Sequence, residues 1–361
     1  MDADTYRLSV ALGETYLLRI INAALNQQLF FKIADHDLVV VAADASYTKP
    51  YSTNVVTIAP GQTTDILLIA VRTPGKYYMA ARAYSSSSLV AFDETTTTAI
   101  LEYDGASPSV AYPIFPDLPF YNDTSVATSF KTGLRSLDST EYPNDVPLII
   151  DEDLVSTIGI GLSPCPQGQT CGGLDGGRLT ASMNNISFVM PTVSILQAYY
   201  FGINGIFTTD FPDNPPTQFD YTAESIPASL WSPVSGTKVK VIEFNSNVQL
   251  VFQGTNIVAG EDHPMHLHGY DFYVVGQGSG NYDPLLDPIN FNLEDPPRRN
   301  TVVVPVNGWA AIRFKADNPG AWLLHCHLEV HLSWGLNTVF LVTNGQGLLA
   351  ELEAPPQDLP T

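Results

Sequence analysis

Two short motifs hold six of the seven histidines of this 361-residue chain, and the second motif also contains a cysteine. They are His263-Pro264-Met265-His266-Leu267-His268-Gly269 and His325-Cys326-His327-Leu328-Glu329-Val330-His331. Structural histidines scattered through a core would not enclose a thiol between two imidazoles, so the pattern indicates metal binding. The fold must therefore bring these two distant segments together.

Alternation along a β-strand separates the histidines of each motif into two groups. Successive side chains of a strand point to opposite faces, so His266 and His268 share one face while His263 is free to project to the other. In the second motif, the thiol projects away from the two histidines that flank it. We therefore predict two different metal sites that lie back to back.

The predicted thiol site combines Cys326 with His263 and His331. A thiolate and two imidazoles suit a trigonal blue-copper centre, whose axial ligand is weak or absent. The axial position is expected five residues beyond His331, at Leu336, which has no donor atom. Zinc accepts the same three ligands and stays open as an alternative. The other face would collect the remaining imidazoles, those of His266, His268, His325 and His327.

The composition favours strands and argues against two kinds of partner. Hydrophobic residues make up 45% of the chain, and 26 glycines and 27 prolines accompany short apolar runs, which is typical of an all-β protein. The net charge of -21 repels nucleic acids and anionic membranes alike. No apolar stretch reaches the roughly 20 residues of a membrane helix, and Met1-Asp2-Ala3-Asp4 does not resemble the start of a signal peptide. We expect neither nucleic acid nor a membrane as partner.

Strand and turn signals divide the chain into three parts. Residues 1–104 are predicted to form one β-sandwich. Residues 105–145 contain five prolines and little alternation, which indicates a long linker on the surface. Residues 146–361 are predicted to form a second β domain that holds both histidine motifs.

Two further patterns suggest an extracellular protein. Cys165 and Cys171 enclose a short polar loop and are expected to form a disulfide, with a reduced pair or a metal site as the alternative. The triplets that begin at Asn122 and Asn185 match the acceptor pattern for N-glycosylation.

The two histidine motifs resemble those of the third cupredoxin domain of laccases, which are blue multicopper oxidases. Other segments are similar to the plant members of that family, and the resemblance covers nearly the whole chain. They are Tyr16–Ala24 and Ala59–Asp65 for the second domain, and Asn184–Phe188 and Ala316–Trp322 for the third. The resemblance implies two cupredoxin-like Greek-key β-sandwiches.

The resemblance also implies a reaction and a role for each ligand. In laccases, a mononuclear copper takes single electrons from phenols, and a trinuclear cluster uses four of them to reduce O2 to water. The expected substrates are monolignols or other p-diphenols in the plant cell wall, the apoplast. The mononuclear copper would be held by His263, Cys326 and His331, the type 2 copper by His266, and the type 3 pair by His268, His325 and His327.

The sequence departs from the family in one respect. Laccases supply further cluster ligands from a first domain with His-x-His motifs of its own, and this sequence contains no His-x-His outside the two motifs described above. We expect the missing ligands from a first cupredoxin domain of a full-length chain or from another subunit. The alternative is a truncated copper-binding or electron-transfer module without oxidase activity of its own.

Five other polar residues are considered as candidates. His36, the remaining histidine, is expected to be structural. Glu329 would either tune the copper through a hydrogen bond to a ligand or be an exposed charge. Asp210 is expected in a turn, with a phenol pocket as the alternative, and Arg298-Arg299 is expected to be solvated.

Overall fold

The computed structural model describes residues 5–87, 90–107, 112–356 and 358. Outside these ranges lie residues 1–4 and 88–89 of the first predicted sandwich, residues 108–111 of the predicted linker, and residues 357 and 359–361 of the second predicted domain. Strands dominate, so the all-β prediction is confirmed. No described helix has the length and apolarity needed to cross a membrane.

The strands of the first half are β1 (Arg7–Val10), β2 (Thr15–Ile21), β3 (Gln28–Ile33), β4 (Leu38–Ala43), β5 (Ser46–Thr53), β6 (Val56–Ile58), β7 (Thr63–Ile69), β8 (Lys76–Tyr84) and β9 (Thr96–Tyr103). Those that follow are β10 (Glu152–Ser163), β11 (Arg178–Met183), β12 (Ile186–Phe188), β13 (Val234–Gly236), β14 (Val239–Ile242), β15 (Asn247–Gly254), β16 (His263–Leu267), β17 (Phe272–Ser279), β18 (Arg298–Arg299), β19 (Thr301–Val304), β20 (Gly308–Lys315), β21 (Gly320–Cys326) and β22 (Asn337–Val342). The α-helices are α1 (Thr124–Gly133), α2 (Ile195–Phe201) and α3 (Glu329–Ser333), and short 3-10 helices span Leu174–Gly176, Ala228–Leu230, Asp287–Asn290 and Leu348–Ala350.

The chain divides into two compact units, and the first contains the residues up to Asn144 together with Asp295–Arg299. Its two sheets have the strand orders β1-β9-β8-β3-β6 and β2-β7-β4-β5. Val40 and Ile66 of the second sheet are fully buried and share a core with Ile33 of the first. Alternating burial along these strands is typical of a sandwich with one face of each sheet in the core.

The described residues between 105 and 144, most of the segment expected to be a linker, belong to the first unit. They contain α1, whose N-cap Asp123 accepts a backbone N–H of the first turn through its side chain. Ala127 and Phe130 on this helix are buried, and Phe130 belongs to the core of the sandwich. The segment is thus attached to the first unit by a buried helix face, which its proline content did not indicate.

The expected solvation of Arg298-Arg299 is wrong for Arg299. This side chain is 5% exposed, and its guanidinium donates to both carboxylate oxygens of Asp44, at 2.9 and 3.2 Å. Asp44 is 2% exposed and also accepts the backbone N–H of Thr63 at 2.9 Å. A buried arginine is tolerated here because the carboxylate neutralises it in a two-point pair.

The second unit contains Asp145–Glu294 and the residues from Asn300 onward. A five-stranded sheet of order β14-β22-β21-β16-β19 packs on strands ordered β13-β12-β11-β10-β15-β20-β17. Leu324 of the first sheet shares one core with Phe252 and Phe314 of the second. The two central neighbours of the five-stranded sheet, β16 and β21, carry the histidine motifs.

His36 has a complete set of partners within the first unit. Its Nδ1 donates to the carbonyl of Ala34 at 2.6 Å, so its Nε2 accepts from the hydroxyl of Tyr103 at 2.8 Å. Burial lowers the pKa of His36 and keeps the ring neutral. The expected structural role explains this histidine without a metal.

In the second unit, Cys165 and Cys171 form a disulfide with an S–S distance of 2.12 Å. It closes the loop that follows β10, where the sequence pattern placed it.

Candidate metal centre

Strands β16 and β21 run antiparallel and bring the two motifs into register. Cys326 lies opposite Met265, and His325 lies opposite His266. Because cross-strand partners share a face, the two histidines lie together on one side of the sheet and the thiol lies on the other. The two groups of ligands therefore occupy opposite faces of one strand pair.

Three ligand atoms converge at the thiol. Sγ of Cys326 lies 3.8 Å from Nδ1 of His263 and 3.6 Å from Nδ1 of His331. A metal–sulfur bond of about 2.3 Å and a metal–nitrogen bond of about 2.0 Å, at roughly 120°, place sulfur and nitrogen about 3.7 Å apart. The three residues therefore fit one ion in a trigonal arrangement.

Burial determines the protonation of these ligands. It raises the pKa of the Cys326 thiol, and it lowers the pKa of His263 to about 4, with the nearby charge of His331 acting in the same direction. Without a cation, both groups are therefore neutral near pH 7. A metal ion reverses this preference for the thiol, because it replaces the proton and stabilises the thiolate.

Leu336 is tied to two of the ligands through its backbone. Its carbonyl accepts the N–H of Cys326 at 3.1 Å, and its own N–H donates to the carbonyl of His331 at 2.9 Å. The residue is fully buried and belongs to the same core cluster as Cys326. Its role as the axial neighbour of a bound copper stays a prediction.

Replacement of Leu336 by Met tests this axial position. We expect Leu336→Met to lower the reduction potential of the bound copper while the blue band remains, because a weak thioether donor stabilises Cu(II). The exchange roughly conserves volume and should cost less than about 1.5 kcal/mol of stability. Redox titration of the copper-loaded variant measures the potential, and Leu341→Met, at a buried position of a different core cluster, is the control. Equal potentials in the two variants would place Leu336 away from the metal.

Glu261 contacts the thiol site, although the sequence pattern did not single it out. Its Oε1 lies 3.1 Å from Nε2 of His331. Burial acts to raise the pKa of Glu261, but the hydrogen bond and the charge of His331 outweigh it and lower this pKa below its usual value. Glu329, the carboxylate suggested by the sequence, is instead exposed in the first turn of α3.

The second group of ligands consists of imidazoles on the opposite face. The ligand nitrogens of His266, His268 and His325 lie within 4.8 Å of one another. Nε2 of His268 and Nε2 of His325 are 3.2 Å apart, and Nδ1 of His325 donates to the carbonyl of Cys326 at 2.9 Å. The ring of His327 lies beside this group, with its centroid 5.5 Å from that of His325 and 5.8 Å from that of His266. Three imidazoles thus converge and a fourth flanks them.

Neighbouring groups orient the ring of His266, and burial favours the neutral form of His325 and His268. Nδ1 of His266 is 2.8 Å from the carbonyl oxygen of Asn300 and 3.0 Å from Oγ1 of Thr301, two contacts that the sequence did not predict. Burial lowers the pKa of His325 to about 4 and also lowers the pKa of His268. Neutral imidazoles can donate a lone pair to a metal, so this face is also suited to cation binding.

The other predicted positions lie on the surface or in turns. Asp210 is exposed and forms an ion pair with Lys238 at 2.5 Å. Asn122 is exposed, whereas Asn185 is partly buried in the tight turn between β11 and β12, with a φ of 61°. Among the described contacts, none connects Asp210, Asn122 or Asn185 to the two ligand groups.

Two groups of metal-ligating side chains that lie back to back on one strand pair indicate a metal-binding β-sandwich protein with two candidate centres. Residues 210–346 match a family model described as multicopper oxidase, and residues 1–106 match a second model of the same description. The chain belongs to the multicopper oxidase family, whose members bind copper.

Several individual proteins that this chain resembles are laccases. Laccase-3 of Oryza sativa subsp. japonica is 57% identical over 363 residues, which cover 99% of this chain and 63% of the rice protein. Laccase-12 of Arabidopsis thaliana is 56% identical over 361 residues, which cover 99% of this chain and 63% of the Arabidopsis protein. The crystal structure of a laccase from Botrytis aclada superposes with a TM-score of 0.66 at 26% identity, over 93% of this chain and 53% of that chain. Both units therefore have the cupredoxin-like fold, and the chain spans less than two thirds of the length of these relatives.

Proposed function

We propose that this chain supplies the mononuclear blue copper and part of the trinuclear copper cluster of a laccase. The observation that carries the proposal is the convergence of Sγ of Cys326 with Nδ1 of His263 and Nδ1 of His331, at 3.8 and 3.6 Å. A thiolate with two imidazoles is the donor set of blue-copper sites. Copper bound there supplies one-electron redox chemistry.

The proposed roles of the ligands follow the family resemblance. The ligands of the thiol site, Cys326, His263 and His331, hold the mononuclear copper. His266 serves the type 2 copper, and the type 3 pair uses His268, His325 and His327. The backbone of Cys326 gives electrons a path of covalent bonds from the thiol to the histidines on either side. Antiparallel pairing of β16 with β21 supports these roles, because it gathers ligands from both motifs on each face.

The proposed reaction oxidises phenols such as monolignols and other p-diphenols. Each phenol gives one electron to the thiol site and one proton to the solvent, and leaves as a phenoxyl radical. Four electrons and four protons convert O2 to water, so the reaction balances without a further reductant. The protein keeps the electron-entry site dry, since Cys326 and His263 are almost completely buried.

We propose that other ligands complete the trinuclear cluster. Three copper ions need more nitrogen donors than the four imidazoles of His266, His268, His325 and His327 provide. A first cupredoxin domain, from a full-length chain or from another subunit, would supply the remainder. The greater length of the relatives supports this proposal, since the chain spans 63% of the rice laccase.

We propose that the protein works outside the cell, in the plant cell wall. The disulfide between Cys165 and Cys171 supports an oxidising compartment. Exposure of Asn122 supports glycosylation there, and the partly buried Asn185 is the weaker acceptor.

Anaerobic reduction of the copper-loaded chain tests the electron-entry step. We expect one equivalent of a simple diphenol to bleach the blue band, because the thiol-bound Cu(II) accepts the electron. A stopped-flow absorption measurement on protein of verified copper content follows the bleaching. A blue band that persists under excess diphenol would contradict the proposed substrate class.

The second candidate function is an electron-transfer module that fills its thiol site but does not reduce O2. It is favoured by the number of imidazoles on the face opposite the thiol, because four imidazoles are too few for three copper ions. We expect the isolated copper-loaded chain to consume no O2 in sustained turnover, measured with an oxygen electrode and a diphenol. Sustained uptake that disappears in His327→Ala would instead indicate a cluster completed between copies of this chain.

A further inference from the structure

Glu261 connects the two segments that carry the ligands of the thiol site. It lies two residues before His263, at the entry to β16, and its Oε1 is 3.1 Å from Nε2 of His331 on α3. The side chains of His331 and Glu261 are only 3% and 13% exposed, so water competes weakly for this contact. The carboxylate therefore connects the first motif to the second through the ring nitrogen of His331 that does not face Cys326.

The two imidazoles of the thiol site are held differently. Both direct Nδ1 towards Sγ of Cys326. Nε2 of His331 faces a carboxylate, whereas Nε2 of His263 is buried and has no hydrogen-bond partner among the described residues. Of the two imidazoles of the thiol site, only that of His331 has a carboxylate within hydrogen-bonding distance among the described residues.

We propose that Glu261 is the positioning residue of the thiol site: it holds His331 with the proton on Nε2 and the lone pair of Nδ1 directed at the copper. The inference rests on the proposed function, because it takes copper as the bound ion. A carboxylate that accepts the distal N–H of a metal-bound imidazole fixes its tautomer and ring orientation and makes it a stronger donor. The contact from Glu261 supplies this arrangement at one of the two imidazoles.

The charge of Glu261 has a second effect on the site. Cu(II) with one thiolate keeps a net positive charge, whereas Cu(I) with one thiolate is neutral. A nearby buried carboxylate stabilises the more positive state. Glu261 therefore favours Cu(II) and lowers the reduction potential of the site.

Three variants of the full chain separate the hydrogen bond from the charge. Glu261→Gln keeps an acceptor oxygen but removes the charge, and Glu261→Ala removes both. Glu329→Gln is the matched control, because it neutralises an exposed carboxylate close to the same ligands in sequence. Each protein is titrated with Cu(II), and its blue band, electron paramagnetic resonance spectrum and reduction potential are recorded.

We expect Glu261→Gln to raise the potential with little change in copper affinity. Glu261→Ala should raise the potential and weaken copper binding by roughly 10–100-fold, with an altered hyperfine splitting. Glu329→Gln should match the parent protein in every readout. Parent-like potential and affinity in both Glu261 variants would overturn the positioning role, whereas absence of a blue band in the parent protein would count against the proposed function instead.

A metal-free measurement tests the same contact if the alanine variant binds no copper. Nitrogen-15 NMR of the apoprotein reports which ring nitrogen of His331 carries the proton. We expect the proton on Nε2 in the parent and in Glu261→Gln, and a mixture of tautomers in Glu261→Ala. An unchanged tautomer in the alanine variant would show that Glu261 does not position this ring.

Discussion

Replacing Cys326 by Ser is expected to abolish the blue colour of the copper-loaded protein. The intense visible band of such a site arises from charge transfer between a thiolate and Cu(II), and Cys326 is the free cysteine of the chain, because Cys165 and Cys171 are joined in a disulfide. The variant should also lose the ability to be reduced by a diphenol. Absorption spectroscopy on protein with measured copper content gives the result directly.

The fold should survive this substitution with a measurable cost. Serine conserves the shape of the side chain, but its hydroxyl is placed at a residue that is 0% exposed, which costs about 1–3 kcal/mol if the hydroxyl finds no partner. Circular dichroism tests whether both units stay folded. Joint replacement of Cys165 and Cys171 by Ser is the control and should leave the blue band in place. A band that persists in Cys326→Ser would show that the thiolate assignment is wrong.

Removing the guanidinium of Arg299 is expected to destabilise the first unit by about 3–5 kcal/mol, the usual effect of breaking a buried ion pair. The reason is the burial of its partner, since Asp44 is only 2% exposed and is held at 2.9 and 3.2 Å by the two donors. Arg299→Ala leaves that charge in the core without the group that neutralises it. Denaturant unfolding followed by circular dichroism measures the loss of stability.

Two controls show whether burial causes this effect. Arg7 pairs with Glu102 at 2.9 Å, but these side chains are 42% and 30% exposed, so Arg7→Ala should cost no more than about 1 kcal/mol. Adding Asp44→Asn to Arg299→Ala should restore part of the stability, because the amide still accepts from Thr63 and carries no charge. Equal losses in Arg299→Ala and Arg7→Ala would contradict the buried-pair explanation.

The fold class and the grouping of the ligands could be predicted from the sequence. Period-2 alternation puts His263 and His266 on opposite faces of one strand and puts His325 and Cys326 on opposite faces of another, whatever the surrounding sheet. The chemistry of a thiolate between imidazoles then points to copper before any coordinate is known. Residue spacing also placed a disulfide between Cys165 and Cys171, because so short a loop favours closure.

Contacts between distant segments could not be predicted in the same way. The helix α1 was expected to be part of a linker, because proline content says nothing about whether Phe130 finds a core. Arg299 was expected in solvent, because its partner Asp44 is remote in the chain and a basic doublet is usually exposed. The burial of Phe130 and the burial of Arg299 both depend on tertiary packing, which local signals do not report.

The sequence by itself determined which side chains are the candidate metal ligands and, for those on strands, which of them point to opposite faces, since a strand has only two faces and alternation is local. Only the tertiary structure decided how these ligands are supported. Glu329 is three residues from Cys326 and is exposed, whereas Glu261 belongs to the other motif and reaches His331. Side-chain contacts depend on which segments the sheet register and α3 bring together, and that packing is set by the whole core rather than by neighbours in the chain.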